Sequence, residues 1–276
     1  MKTVGIVVSY NSTADLPMSL GSLQRLPVNR VVVVDNSSID GSVQMALGYT
    51  PDVLTSPNVG FGKAINLAVR HAPDADAYLL LNPDCGITPE SYAALQKALE
   101  DNDHLGVVAP TMRYPDGRYG ISAGPEMSIA KEWLAALHVD ALVPRGLRAT
   151  LAHSKALQRA VPMLRYLQTG PAAGLRDVAW VSGFCMLIRA EAFHSIGGFD
   201  PSFFLYFEDV DLCKRLRERG WGVASVGDSV ADHRESTSTS TVGKRRLYRD
   251  GMVVYFAKHG SKKDKRLAQA LRRFPI

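Results

Sequence analysis

The chain has 276 residues and a net charge of +5, with 46% hydrophobic and 21% charged residues, which suits one large α/β domain or a domain with an appendage. No uninterrupted apolar run reaches the roughly eighteen residues expected of a membrane span, and Val4-Gly5-Ile6-Val7-Val8 is too short for a signal-peptide core. Three scattered cysteines, Cys85, Cys185 and Cys213, form neither a disulfide framework nor a zinc pattern, so a reducing cytoplasm is the expected compartment.

Residues 4–9 read as a buried strand. Asn11 or Ser12 can cap a helix that carries Leu16, Leu20 and Leu23 on one face. A second apolar strand, 30–35, ends in the carboxylate of Asp35, and 53–56 reads as a short third. Residues 62–72 fit a helix with Ile65 and Val69 inward. Residues 78–82 form another apolar strand, followed by Pro83-Asp84. Thr88 as N-cap and Pro89 at the first helical position open a helix bearing Tyr92, Leu95 and Leu99. Residues 106–109 are a further strand. Alternating apolar strands and helices predict a mostly parallel sheet covered on both faces. Ligands bind such sheets at the carboxyl ends of the strands. Asn11, Asp35 and Asp84 all fall there, and three polar side chains at such ends converge on one crevice.

The pattern weakens over 113–177, where Tyr114-Pro115-Asp116-Gly117 reads as a turn and a helical insertion over the sheet is expected. Residues 178–189 resume as a strand broken at Gly183, followed by a short helix over 190–196. An aromatic run, Phe203-Phe204-Leu205-Tyr206-Phe207, then meets Glu208, Asp209 and Asp211 at the start of a helix with Leu212 and Leu216 on one face. Acidic residues favour a first helical turn because they complement the helix dipole. Three of them directly after an aromatic wall exceed that need. A carboxylate partly desolvated in this way has a raised pKa and suits a general base. The last strand, 221–226, leads to Asp232-His233. From residue 243 onward eleven Lys or Arg face two Asp, so the basic character belongs to this tail and the remainder is net negative.

Five stretches in fixed order carry a resemblance: Val8-Ser9-Tyr10-Asn11; Val34-Asp35-Asn36-Ser37-Ser38-Ile39-Asp40-Gly41-Ser42; Asn58-Val59-Gly60-Phe61-Gly62-Lys63-Ala64-Ile65-Asn66; Leu81-Asn82-Pro83-Asp84; and Ser182-Gly183-Phe184 combined with Gly197-Gly198-Phe199-Asp200 and Glu208-Asp209-Val210-Asp211. Together they resemble the inverting nucleotide-sugar glycosyltransferases of family 2, and among them the rhamnosyltransferase-like branch. The resemblance covers 4–109 and 178–233. It implies an α/β GT-A domain over 1–242, a mostly parallel nucleotide-binding sheet flanked by helices; outside the resemblance, the residues themselves predict a helical acceptor-side insertion over 113–177 and a basic helical tail over 243–276.

The resemblance also implies roles. Ser9, Tyr10, Asn11, Asp35, Asn58, Gly60, Phe61, Lys63, Asn66, Asn82 and Asp84 would bind the nucleotide sugar. Asp35 would hold the nucleoside through ribose or base, the alternative being a cap of the Ser37-Ser38 turn. Gly60-Phe61-Gly62-Lys63 would let backbone approach the nucleotide; Asn66 could equally be satisfied locally. Asp84 matches the second acid of the family's metal-binding Asp-x-Asp, whose first position is here Asn82. His233 matches the histidine that completes the metal and diphosphate contacts. Such a set suits Mg2+ or Mn2+, which take hard oxygen ligands. Asp209 matches the catalytic base, with Glu208 and Asp211 in support.

The implied partners are a nucleotide-sugar donor, dTDP-L-rhamnose, and a glycan or polyprenyl-diphosphate-linked acceptor in cell-envelope polysaccharide synthesis. Nucleic acid is not among them, and a homo-oligomer is compatible. Leu267, Leu271 and Phe274 share one face of a basic helix, which predicts peripheral docking on the anionic inner face of the cytoplasmic membrane. The rival readings are a sugar-nucleotide pyrophosphorylase, disfavoured because Ser9-Tyr10-Asn11 replaces a Gly-rich basic loop, and a non-catalytic nucleotide-sugar-binding scaffold, disfavoured by the complete acidic block.

Overall fold

The computed structural model describes residues 1–136, 173–234 and 241–273. Strand β1 (Thr3–Ser9) pairs in parallel with β2 (Arg30–Asp35) on one side and β4 (Ala77–Leu81) on the other, and β3 (Val53–Thr55) extends the sheet beyond β2. Every residue of β1 is buried, as a strand covered on both faces requires. Its side chains alternate. Val4, Ile6 and Val8 pack towards Ala64, Ile65 and Ala68 of α3 (Phe61–His71). Val7 packs in the opposite cluster, with Leu16, Leu20 and Leu23 of α1 (Leu16–Leu23) and Tyr92, Leu95 and Leu99 of α4 (Pro89–Glu100).

Beyond β4 the strand directions change. β10 (Cys185–Arg189) runs antiparallel to both β4 and β6 (Leu105–Arg113). β6 pairs in parallel with β11 (Gly222–His233), and β5 (Cys85–Ile87) and β8 (Leu175–Asp177) pair antiparallel with β11. The order is β3-β2-β1-β4-β10-β6-β11-β5, with β8 joined to β11. The parallel character expected of the sheet thus holds for its first four strands, which carry the three polar strand ends, and returns in the β6–β11 pair. A separate ribbon pairs β7 (Ala123–Gly124) with β9 (Trp180–Val181).

Local signals place most boundaries. Thr88 Oγ1 accepts from Ser91 N–H at 3.2 Å, capping α4 as its sequence predicts. Asp15, not Asn11 or Ser12, holds the N-cap position of α1, without a side-chain capping bond; Asn11 takes a left-handed backbone (φ 49°) and turns its side chain to the neighbouring loop. Gly117 N–H donates to Tyr114 O at 2.9 Å, closing the expected turn. Four short elements, α2 (Ser42–Leu47), β5, β7 and β8, have no local signal in the sequence. Of the helical insertion, α5 (Ile129–Ala136) is described and 137–172 lie outside the described residues.

The remaining helices are α6 (Ala190–Ser195), α7 (Glu208–Glu218), α8 (Thr241–His259) and α9 (Lys262–Arg272). The last two form a hairpin docked on the domain. Met252, Tyr255 and Phe256 of α8 and Ala268 and Leu271 of α9 share a buried cluster with Phe203, Phe207, Val210 and Ile129. Leu267 packs against the same cluster, and its carbonyl accepts from Trp133 Nε1 at 3.2 Å. The apolar face expected to enter a membrane is therefore covered by protein at Leu267 and Leu271; Phe274 lies outside the described residues. Lys262, Lys263, Lys265 and Arg266 stay exposed. Among the described residues no helix is long and apolar enough to cross a membrane.

Leu271 is 3% exposed, so Leu271→Ala is expected to cost about 2–5 kcal/mol in urea unfolding, the range for a buried leucine whose cavity relaxes only partly. An unchanged midpoint would show that α9 is not docked in solution.

Candidate active site

A cavity of about 730 Å3 opens where β1, β2 and β4 end, with Tyr10, Asn36 and Asn82 just past those ends on its wall. Asn58, Gly60, Phe61, Asp84, Gly183, Glu208, Asp209 and His233 complete much of the lining.

Three contacts assemble it. The first joins the loop before α3 to the segment before α7. Phe61 N–H donates to Phe204 O at 2.9 Å. Gly60 has φ 90°, and a Cβ there would overlap the Phe204 carbonyl. The glycine expected to admit a nucleotide lines the cavity and is also required by this backbone crossing. The second contact is the pairing of β5 with β11, which sets His233 opposite Cys85 and brings His233 Nε2 to 3.3 Å from Asp84 Oδ2. The third fixes Asp209: its two carboxylate oxygens accept from Gly183 N–H at 2.9 Å and Val210 N–H at 2.8 Å.

Other residues expected in the site lie elsewhere. Asn66 clasps the backbone of Phe199, donating to its carbonyl at 2.8 Å and accepting from its N–H at 2.9 Å, so it is satisfied locally. Lys63 is exposed and Ser9 fully buried; neither lines the cavity. Asn11 ties two loops, receiving Ile39 N–H on its Oδ1 at 3.0 Å. Asp35 accepts from Ser38 N–H at 2.8 Å, which is the turn-capping alternative. Its other oxygen is buried without a partner, and so is Ser9 Oγ on the paired residue of β1. A buried orphan acceptor costs free energy that a ligand hydroxyl can offset.

Asp211, expected beside the base, is fully buried and does not line the cavity. Two residues along a helix turn a side chain by about 200°, so Asp209 and Asp211 leave opposite sides of α7. Asp211 Oδ2 accepts from Arg215 Nε at 2.6 Å, and Oδ1 accepts from Lys258 Nζ at 2.8 Å and lies 2.7 Å from His259 Nε2. It is an anchor between α7 and α8.

The metal-binding expectation fits the residues in part. Asp84 is a hard oxygen ligand, and His233 keeps a buried Nδ1 without a partner. Cys85 completes a cluster whose ligand atoms lie within 4.8 Å of one another. Burial and the Asp84 charge push its thiol pKa far up, so it stays protonated and is a poor ligand. One carboxylate and one imidazole would leave most of a cation's coordination to diphosphate and water, as Mg2+ and Mn2+ accept.

The chain matches the family described as "Glycosyl transferase family 2" over residues 6–197. It is 32% identical over 250 residues to an N-acetylglucosaminyl-diphospho-decaprenol L-rhamnosyltransferase of Mycobacterium tuberculosis, covering 85% of this chain and 76% of the relative. The chain belongs to glycosyl transferase family 2. Solved structures show the fold. GalNAc-T7 with UDP, GalNAc and Mn2+ superposes with TM-score 0.59 at 12% identity, over 98% of this chain and 54% of its own length. The Pyrobaculum calidifontis mannosyltransferase PcManGT, in complex with GDP-Man and Mn2+, gives 0.58 at 14% identity, over 98% and 68%.

This family 2 glycosyltransferase therefore holds two neighbouring acids in one cavity wall. Burial raises the pKa of Asp209 against the pull of its two backbone donors. Burial, then the charge of Asp209, raises that of Glu208 well above the carboxyl range, and Glu208 Oε2 has no partner. Glu208 is thus the acid that keeps its proton and Asp209 the one better placed to ionise. Asn36, Lys244 and Leu247 also line the cavity without having been singled out. Asn36 lies inside the 34–42 stretch; nothing in the local sequence marks Lys244 or Leu247, which belong to the tail.

A carboxyl with a raised folded-state pKa stabilises the fold while protonated. That contribution is lost as pH climbs from the ordinary carboxyl range through the raised value. The Tm difference between Glu208→Gln and wild type should therefore shift in the variant's favour as pH rises above the ordinary carboxyl range. A difference independent of pH would mean that Glu208 titrates normally.

Proposed function

We propose that the protein is an inverting rhamnosyltransferase. It moves L-rhamnose from dTDP-L-rhamnose to a hydroxyl of a lipid-linked diphosphate glycan in cell-envelope polysaccharide synthesis. The observation that carries this reading is the 32% identity, across most of both chains, to a relative named for L-rhamnosyl transfer to N-acetylglucosaminyl-diphospho-decaprenol. The cavity supports it by facing Asp84 and His233 and the paired acids Glu208 and Asp209 onto one space.

The chemistry is a single displacement. Asp209, ionised and held by two N–H groups, takes the proton of the acceptor hydroxyl. The acceptor oxygen bonds to the anomeric carbon as the bond to the donor diphosphate breaks, and the configuration inverts. Glu208, holding its proton, spares Asp209 a neighbouring charge. Asp84 and His233 would hold a divalent cation. Such a cation, when bound, neutralises the departing nucleoside diphosphate. The orphaned oxygen of Asp35 and Ser9 Oγ would take up nucleoside hydroxyls after a local opening. A lipid-linked acceptor implies work at a membrane surface, which the exposed cations of α9 would favour and its covered apolar face would not.

Asp209→Asn keeps the size and cannot accept the proton, so kcat should fall by roughly 10²–10⁴-fold with little change in donor affinity. Asp84→Asn should weaken metal-dependent donor binding as well as turnover. Full activity of Asp209→Asn would remove it as base. In a donor screen by thermal shift and turnover, uridine-diphosphate hexoses that stabilise and react where dTDP-L-rhamnose does neither would overturn the donor assignment.

A further inference from the structure

Helix α8 is docked along its length on the segment that carries the acids. At its far end Lys258 and His259 grip Asp211. In its middle, Gly251 meets the Tyr206 carbonyl so closely that a Cβ would overlap it. Nearer its start, the ring of Tyr248 lies 4.9 Å from Phe207 and 5.8 Å from Tyr206. Lys244, one turn before Tyr248, lines the cavity. Its position is therefore tied to that of Asp209 through Tyr206 and Phe207.

The described lining holds three carboxylic acids, Asp84, Glu208 and Asp209, and Lys244 is its only lysine or arginine. Two of the acids, Glu208 and Asp209, directly follow the Tyr206-Phe207 segment on which α8 packs, where an acceptor must reach Asp209. A diphosphate brought to carboxylates is repelled unless a cation lies between them. Arg245 and Arg246, exposed beside Lys244 on α8, extend the positive field outward from the cavity.

We propose that Lys244, delivered by α8 to the base side of the cavity, is a phosphate-binding residue of the transfer site. The proposal rests on the transfer reading above and names the group that a lipid-diphosphate acceptor or the donor's diphosphate would present. The packing of α8 against Tyr206 and Phe207, which lead into Asp209, favours the acceptor.

The test uses full-length protein and two variants, Lys244→Met, which removes the cation and keeps the stem, and Lys244→Arg, which keeps the cation. Binding of inorganic pyrophosphate and of deoxythymidine diphosphate is measured by calorimetry. Kinetics compare an alkyl-diphosphate-linked N-acetylglucosamine acceptor with a neutral alkyl glycoside of the same sugar. For Lys244→Met, loss of one charged hydrogen bond predicts a rise of about ten-fold or more in the KM of the diphosphate acceptor alone. Lys244→Arg should restore most of it. If instead the nucleotide affinity falls and both acceptors suffer equally in kcat, the phosphate is the donor's, and Lys244 still binds it. Unchanged pyrophosphate and nucleotide binding with unchanged KM for both acceptors would overturn the proposal. So would a loss that arginine does not rescue and that follows a fall in Tm. If wild type transfers no sugar to either acceptor, the transfer reading fails while the calorimetric arm still decides Lys244.

Discussion

The peptide between Phe204 and Leu205 is the point on which the site depends. Its carbonyl occupies the space that a side chain at position 60 would need, and it accepts the N–H that opens α3. Two residues later, the Tyr206 carbonyl fills the space that a side chain at position 251 would need. The 204–207 segment is thus held between two glycines from distant parts of the chain. Tyr206 and Phe207, both non-glycine, take left-handed backbones with φ 67° and 66°. Such conformations cost of order 1–3 kcal/mol each and persist only where the surroundings over-determine them. The result is a sharp entry into α7 that presents Asp209 to the cavity.

The three acids at that entry show how one sequence signal divides into three physical situations. Asp209 meets two backbone donors and the cavity. Glu208 is buried without a partner for one oxygen and keeps its proton. Asp211 lies on the opposite side of α7 among Arg215, Lys258 and His259. An ion network so buried adds little net stability, because desolvation offsets most of its attraction. It fixes instead where α8 sits relative to α7. Lys258 also reaches Asp200 at 2.6 Å, and burial of Asp200 is outweighed by that cation and the Ser202 bonds, so its carboxyl falls to about 2. The tail, basic on the count of residues, spends part of its charge on the domain's own acids.

What the sequence displayed, and what it hid, follows the range of the interactions. The buried strands β1, β2 and β4 and the capped helix α4 were legible because their signals are local: apolar runs and a Thr-Pro start. Strand β5 was not, since Cys85-Gly86-Ile87 becomes a strand only by pairing with β11, nearly 150 residues on. The position of the cavity at the polar strand ends was legible, but of Asn11, Asp35 and Asp84 only Asp84 lines it; the other two are taken by neighbouring loop backbone. Asn66 and Lys63 were not separable from it, because only the fold shows Phe199 in front of the one and solvent in front of the other. The roles of Gly60 and Gly251 depend on Phe204 and Tyr206, and nothing around either glycine announces such a partner. The tail was legible as an amphipathic helix, but a lipid surface and a protein surface ask the same pattern of it.

The site's charge balance is the last consequence. With Asn82 in place of a first aspartate, the cation end of the cavity offers one carboxylate, Asp84, with His233 beside it. At the opposite end burial raises both acids, Glu208 the further because of the charge of Asp209, so Asp209 is the one better placed to ionise. Were both acids ionised, their mutual repulsion in a buried wall would raise the cost of the charge on which proton abstraction depends. Were the cation end richer in carboxylate, a metal would be held by protein alone and would have less need of the diphosphate. As built, each end presents carboxyl groups, and each needs a positive partner when a diphosphate arrives. At one end that partner would be a divalent ion. At the other, the fold brings in a lysine from the segment whose charge looked, in the sequence, to have no part in the site.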